Sequence, residues 1–430
     1  MSILLNGLYF VALIIVSPLV LWKRWRYGRY RRGLGERLFG VGQTPSQVGH
    51  LVWFHAVSVG EVQVLRTLVE TLELERPDLG IAISVSTDSG MDLAKKLFSK
   101  HHLFFTPLDF SWAVRRVLSR LKPKLIVLAE LELWPNWLLA AEKNGCPVAI
   151  LNGRLSESSL KGYSRIPFLF GHCIQTIDWV GAQSESTAER FEKLGVPANR
   201  LTVTGNVKFD GATGDRLAIE VVLRKELLGL TTEHTVLLAG STQSPEETLV
   251  LNAFLGLANR FPNLKLVLVP RHVERFAEVA KAIEESGLPW ARRSESHNVV
   301  TDSNWRIFLG DSVGELRWWW GLADIGFVGG SFGDRGGQNM IEPCAYGVAT
   351  CFGPNTRNFS DIVNLLLEAK ACEQLQSPEE LQPWIESMLL DSNKRDAMAG
   401  LAIQVCRKHR GASQRSWENL QRFLSEKPTG

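Results

Sequence analysis

The sequence predicts an α/β protein built from two doubly wound, parallel-sheet domains. From residue 51 onward, apolar runs of strand length alternate with segments of helix length, the pattern of βαβ units. The alternation breaks once, at a polar stretch over 211–224, and then restarts. A chain of 430 residues is long enough for two domains of ordinary size.

In order, the first half gives LVWFHAV (51–57), GIAISVST (80–87), HLFFTPL (102–108), KLIVLAE (124–130), CPVAILN (146–152), WVGAQ (179–183) and RLTVTGN (200–206). Each reads as a buried strand, with helices such as 62–75 and 112–121 between most of them. The second half gives TVLLAGST (235–242), LKLVLVP (264–270), WRIFLGD (305–311), DIGFVGGS (324–331) and VATCFGP (348–354). The expected domains are 51–220 and 221–430, preceded by an anchor (1–22) and a basic segment with connector (23–50). Two such halves facing a cleft make the GT-B architecture of glycosyltransferases, shared by some sugar-nucleotide epimerases.

Residues 3–22 form an apolar run without a charge, long enough to cross a bilayer as a helix. Asn6, Gly7 and Pro18 interrupt it, which leaves a shallow, interfacial insertion open. Lys23, Arg24, Arg26, Arg29, Arg31, Arg32 and Arg37 follow the run. A cleaved signal peptide has the opposite order, and the positive-inside rule keeps the downstream chain in the cytoplasm. Trp22, Trp25, Tyr27 and Tyr30 resemble an interfacial belt. The expectation is a single N-terminal anchor, with the body lying against anionic membrane lipids.

A net charge of +3 is too small to suggest a nucleic-acid partner. The scattered cysteines show no CxxC or Cys/His spacing, so no metal site is expected. Neither G-x-G-x-x-G with an acidic partner nor a P-loop is present, which argues against a dehydrogenase or a P-loop ATPase.

Candidate chemistry sits in loops at strand ends. In FVGGSFGDRGGQNMIEP (327–343), Gly330, Ser331, Gly336 and Gly337 suit a nucleotide phosphate, or a tight turn that needs glycine for shape. Asn339, Met340 and Ile341 lead into a helix whose Glu342 can reach ribose hydroxyls. Ser241 and Thr242 lie in AGST, with Ser244 a possible helix cap. Arg271, after Pro270, suits a phosphate or a structural carboxylate equally. Val313, Gly314 and Glu315 precede three tryptophans, Trp318 to Trp320, that cannot all enter one core. In the first half, Glu61 follows Ser58 and Gly60 at a turn. It either complements a helix dipole or acts as a base. Glu130 and Glu132 flank Leu131, and in extended geometry both face one side. Lys208 adds a cation. Carboxylates for base work and cations for a leaving phosphate are what nucleotide-sugar transfer needs.

Together, HAVSVGE, ELWPN, NGRLS, GNVKFD, AGST, VPRH, GDSVGEL, VGGS and GGQNMIEP resemble, in order and spacing, the 3-deoxy-D-manno-octulosonic acid (Kdo) transferases of lipopolysaccharide biosynthesis. The resemblance covers nearly the whole chain. It implies an inverting GT-B enzyme of the bacterial inner membrane that moves Kdo from CMP-Kdo to a lipid A precursor (lipid IVA), without cofactor or metal. It also implies that Glu61 is the general base and that Glu130, Glu132 and Lys208 assist the transition state. CMP contacts then fall on Pro270, Arg271, Val313, Gly314, Glu315 and Asn339 to Glu342. Gln338, Leu131 and Trp320 depart from the family's usual residues. The competing readings are another GT-B nucleotide-sugar enzyme, either an epimerase or a lipid-linked sugar transferase, and a non-catalytic membrane-bound sugar-binding module.

Overall fold

In the computed structural model, residues 2–27, 32–43, 51–212, 214–296 and 304–424 are described. Arg29, Tyr30, Arg31 and the connector over 44–50 lie outside the described residues, as do the side chains of Lys23, Arg24, Trp25 and Tyr27.

The apolar runs of the first half pair in parallel. The strands are β1 (Leu51–Ala56), β2 (Gly80–Val85), β3 (His102–Phe105), β4 (Leu125–Ala129), β5 (Val148–Gly153), β6 (Trp179–Ala182) and β7 (Leu201–Val203). Their order is β3-β2-β1-β4-β5-β6-β7. Of these, β1, β4, β5 and β6 are buried on both faces, so neither of their faces has to stay polar. Along β1 the side chains alternate between two cores. Val52, Phe54 and Ala56 pack on one face, and Leu51 and Trp53 on the other, as the two-residue period of a strand requires.

The second half repeats the plan with β8 (Thr235–Thr242), β9 (Leu264–Pro270), β10 (Trp290–Arg292), β11 (Ile307–Leu309), β12 (Ile325–Val328), β13 (Ala349–Phe352) and β14 (Glu373–Gln374). The order is β10-β11-β9-β8-β12-β13-β14. The sequence reading did not contain β10 and β14, two short edge strands. Within the stretch read as a polar connection, Ile219–Leu227 is a helix that buries Val221. The tryptophan triplet divides: Trp319 and Trp320 are buried, and Trp318 stacks under the Arg317 guanidinium at 4.2 Å. Trp320 occupies space left free by Gly240, where an added Cβ would lie 2.5 Å from its ring.

The chain divides into two compact units, Met1–Gly211 with His409–Gly430, and Ala212–Lys408. The second domain therefore does not run to residue 430 as expected. The helix Ala412–Leu420 returns to unit 1, where Ala412, Trp417 and Leu420 join its core. Asp210 fixes the return by accepting hydrogen bonds from the backbone N–H groups of Gly411 (2.7 Å), Ala412 (3.1 Å) and Ser413 (2.7 Å).

The N-terminal helix spans Ser2–Tyr27, and among the described residues no helix is long and apolar enough to cross a membrane. It docks on the rest of unit 1 through Asn6, one of the residues that interrupt its apolar run, and Tyr9. The Asn6 amide donates to Ser111 Oγ at 2.8 Å and accepts from the Ser111 N–H at 3.0 Å. Tyr9 donates its hydroxyl to Asp109 at 2.8 Å. Ile3, Leu4, Leu8, Phe10, Val11, Ile14 and Ile15 are exposed. Part of the basic segment is folded into the body. Arg32 pairs with Asp92 at 2.7 Å, and Arg37 donates to the Ser86 carbonyl at 2.7 Å while lying over Phe105.

Asp210→Ala removes a charged acceptor of backbone N–H groups. It is expected to lower the unfolding free energy by about 1.5–3 kcal/mol and to speed amide exchange over 411–420 in a hydrogen-exchange experiment. Unchanged protection of that helix would show that packing alone holds it.

Candidate active site

In an open parallel sheet, ligands meet the crevice at the carboxyl ends of the strands where the strand order reverses. In unit 1 that point lies between β1 and β4, and the expected acidic residues come from those two strands. After β1, Ser58 caps the helix Val59–Glu75 and accepts from the Glu61 N–H at 3.4 Å. The Glu61 carboxylate reaches back to the Val57 N–H at 2.8 Å and the Ser58 hydroxyl at 2.9 Å. This reciprocal arrangement is a capping box. Burial pushes the Glu61 pKa up, and nearby Glu130 adds to the rise, while the bonds from Val57 and Ser58 oppose it. The carboxylate therefore caps the helix and lies in the crevice at once. Gly60 meets no steric demand, since an added Cβ there would find only Ser58 Oγ at 3.8 Å.

After β4 the chain is not extended, contrary to the sequence reading. Glu130 adopts φ 59°, a left-handed conformation that costs a non-glycine residue energy. The turn still gathers the carboxylates. Lys208 Nζ lies 3.2 Å from Glu130 Oε1. Glu132 is pushed up to about 7, first by burial and then by Glu61, with Glu130 adding less. Glu61, Glu130, Glu132 and Lys208 are thus brought together as expected. Asn152 accepts from the Val207 N–H at 3.0 Å, Gln183 links to Asn206 at 3.3 Å, and Asn206 accepts from the Lys208 N–H at 3.0 Å. This polar belt accounts for the NGR and GN motifs as supports of Lys208.

Sequence reasoning missed Tyr163. Its hydroxyl is held protonated by burial and by Glu132, but no motif marked it. His55, in HAVSVGE, is buried and lowered to about 4 by desolvation. With Nδ1 3.0 Å from Ser84 Oγ, it is a neutral packing residue.

In unit 2 the reversal lies between β8 and β12, and a carboxylate fills it. Glu246 accepts from the N–H groups of Gly330 (2.6 Å), Ser331 (2.8 Å), Phe332 (3.0 Å) and Gln243 (3.0 Å). The Gly330 and Ser331 amides expected to face a phosphate are therefore occupied by the protein itself. The helix Glu246–Ala258 starts without a side-chain cap from Ser244. Gly336 and Gly337 have φ 89° and 81°, and a Cβ on Gly336 would come within 2.7 Å of Arg357 and Asn358. Turn shape requires that glycine.

The remaining expected contacts divide. Glu315 is tied to Arg224 at 2.6 Å and Arg293 at 3.0 Å. Burial pushes its carboxyl up, but Ser312 and the two arginines outweigh this and hold it low. Its side chain is spent on the fold. Val313 is exposed beside Gly314, which has φ 87°. Pro270, Met340 and Ile341 are buried, so Met340 and Ile341 have only backbone to offer a ligand. Ser241, at φ 55°, and Thr242 are buried at the end of β8, and the Thr242 carbonyl accepts from the Arg271 N–H at 2.9 Å. Asn339 donates to Glu342 at 3.1 Å. Burial raises Glu342, with Asn339, Arg317 and Arg271 acting against it. Arg271, Arg317, Asn339 and Glu342 thus converge. Arg317 is the member that sequence reading missed, because attention in GDSVGELRWWW fell on the residues either side of it.

Glu132 sets a pH dependence of stability. Its folded pKa of about 7 exceeds the usual 4.5, so between these values the native state holds more protons than the unfolded one. Stability then falls as pH rises through that window. Glu132→Gln is expected to remove this fall, making the variant more stable than the parent at pH 8 by about 2–3 kcal/mol relative to their difference at pH 4, as read from denaturant melts. Parallel pH profiles would place the titrating group elsewhere.

A sequence model of the family described as 3-deoxy-D-manno-octulosonic-acid transferase (kdotransferase) matches residues 26–211. The chain is 33% identical to the 3-deoxy-D-manno-octulosonic acid transferase of Haemophilus influenzae over 97% of its own length and 98% of the relative's. Identity to the transferase of Bordetella pertussis is also 33%, over 97% and 99% of the two chains. Among solved structures it is similar in fold to the UDP-GlcNAc 2-epimerase of Neisseria meningitidis, with a TM-score of 0.56 and 15% identity over 86% of this chain and 100% of that one. The epimerase shares the pair of Rossmann-like sheets, a GT-B-like fold. Full-length identity to the transferases carries the assignment: the chain belongs to the 3-deoxy-D-manno-octulosonic acid transferase family.

Proposed function

We propose that this protein transfers Kdo from CMP-Kdo to a glucosamine hydroxyl of a lipid A precursor, with inversion at the sugar. The observation that carries this reading is the carboxylate cluster with Lys208 at the strand-order reversal of unit 1. The acceptor oxygen attacks the anomeric carbon, the bond from that carbon to the CMP phosphate oxygen breaks, and CMP leaves with the electron pair. Glu61 takes the acceptor proton. Burial and a neighbouring carboxylate raise its pKa toward working pH, which is what a carboxylate base needs. Lys208, paired with Glu130, offsets negative charge in the crevice. CMP sits on unit 2 at Arg271, Asn339 and Glu342, with Arg317 beside them. Backbone at Pro270, Gly314, Met340 and Ile341 lines the same loops.

The N-terminal helix holds the enzyme on the cytoplasmic face of the inner membrane. Asn6 and Tyr9 are bonded to the body and the apolar face is exposed, which favours a helix lying in the interface over one that crosses the bilayer.

Mass spectrometry of a lipid A precursor incubated with this protein and CMP-Kdo tests the reaction directly. Glu61→Gln is expected to lower transfer by about a hundredfold or more while leaving CMP affinity nearly unchanged. Arg271→Ala should instead weaken CMP binding by about 1.5–3 kcal/mol in calorimetry. Full activity of the glutamine variant would move the base to another residue.

Vesicle flotation tests the membrane reading. Removing residues 1–22 should leave only salt-sensitive attachment through the basic segment, while the full chain stays bound at high salt. Salt-resistant binding of the truncated chain would shift the attachment onto the body.

A further inference from the structure

An apolar groove of about 230 Å³ runs between the N-terminal helix and unit 1, with Ala12, Leu13 and Val16 on one side and Leu108, Phe110 and Trp134 on the other. Tyr9 and Asp109 also border it, but their polar atoms are used up. The Tyr9 hydroxyl donates to Asp109, and the Asp109 carboxylate also accepts the N–H groups of Asn136 and Trp137, each at 3.0 Å. What remains is a carbon-lined slot, open to the surface, whose burial by an apolar group would remove apolar area from water. Its volume lies below the roughly 300–1,000 Å³ of ordinary small-molecule sites, so it suits a chain better than a headgroup.

Two further observations say what the chain belongs to. The slot opens onto the exposed apolar side of the helix: Val16 is 46% exposed and Leu108 37%, beside the exposed Ile14 and Ile15. At its other wall, Trp134 stands two residues after Glu132 in the chain. Its indole N–H faces the Glu132 carboxylate and tempers its raised pKa, without meeting it in a full hydrogen bond. One ring thus borders both the slot and the carboxylate cluster. We infer that the groove receives an acyl chain of the lipid acceptor and so brings the sugar that carries it to Glu61, Glu130 and Glu132. This rests on the acceptor reading given above.

The test uses the full-length protein in detergent with CMP-Kdo and two acceptors, the acylated disaccharide precursor and its fully deacylated form. Ala12→Trp fills the groove, and Val16→Trp narrows its mouth with less demand on packing. Each is expected to lower kcat/KM for the acylated acceptor at least tenfold relative to the deacylated one. An equal fall for both acceptors, or no fall, overturns the inference. A precursor analogue with a diazirine in one acyl chain should label peptides containing residues 9–16 or Trp134, and Ala12→Trp should block this. Labelling elsewhere also overturns it. Should the parent protein modify neither acceptor, the acceptor reading fails, and the labelling pattern still decides whether the groove holds an acyl chain.

Discussion

Between β1 and β4 the strand order of the first sheet reverses, so the segments after these strands leave in opposite directions and open a crevice. Three carboxylates enter it, and the main physical problem of unit 1 is to hold them there together. Burial raises the cost of ionising Glu61 and Glu132, and the neighbouring carboxylates add to it: Glu130 acts on both, and Glu61 acts on Glu132. Lys208 meets Glu130, and Val57 and Ser58 meet Glu61. Glu132 lacks an equivalent partner among the described residues and takes up the imbalance by holding a proton near neutral pH. The left-handed backbone at Glu130 and the belt of Asn152, Gln183 and Asn206 are the means by which the fold sustains this arrangement.

The same reversal recurs between β8 and β12, with a different outcome. There the carboxylate of Glu246 is buried among the N–H groups of the glycine-bearing loop. Those amides compensate its charge, so it is a strut that ties the start of one helix to the end of a neighbouring strand. A separate polar cluster of unit 2 gathers Arg271, Arg317, Asn339 and Glu342, where two guanidinium groups act on a largely buried carboxylate. One topology thus yields a crevice of incompletely compensated carboxylates in one unit and a fully bonded carboxylate in the other. The difference lies in whether the acid finds enough N–H donors.

Much of this was legible in the sequence because parallel strands buried on both faces leave nearly continuous apolar runs. The run at 51–57 announced β1 to within one residue, and the run at 235–242 coincides with β8. β10 and β14 were not legible: three- and two-residue edge strands carry too little pattern. The convergence of Glu61, Glu130, Glu132 and Lys208 was readable from motif position, since loops at strand ends share one edge of the sheet. The occupation of Gly330 and Ser331 by Glu246 was not, because a glycine-rich turn looks the same whether its amides face a ligand or a side chain. The return of Trp417 to unit 1 depends on contacts such as its indole N–H to Glu75, far away in the chain and without local trace.

Asn6, which weakens the N-terminal run as a membrane span, makes sense only against the body, and so does the Tyr9 hydroxyl. Asn6 and Tyr9 lie three residues apart on one helical face, and that face meets Ser111 and Asp109. Asp109 in turn accepts the first free N–H groups of the helix Pro135–Lys143, where no residue of that helix's own N-terminus supplies a cap. Helix starts need such an acceptor. This helix directly follows the segment that carries Glu130, Glu132 and Trp134. A single buried carboxylate therefore joins the N-terminal helix to the frame of the acidic loop. Burial pushes that carboxylate up to about 7 against the pull of its donors, so the fold holds Asp109 protonated more readily than an exposed aspartate and loses part of the joint's stability as pH rises through that value. An entirely apolar helix would have had no means of making this connection: Tyr9 makes it to Asp109, and Asn6 holds the neighbouring Ser111.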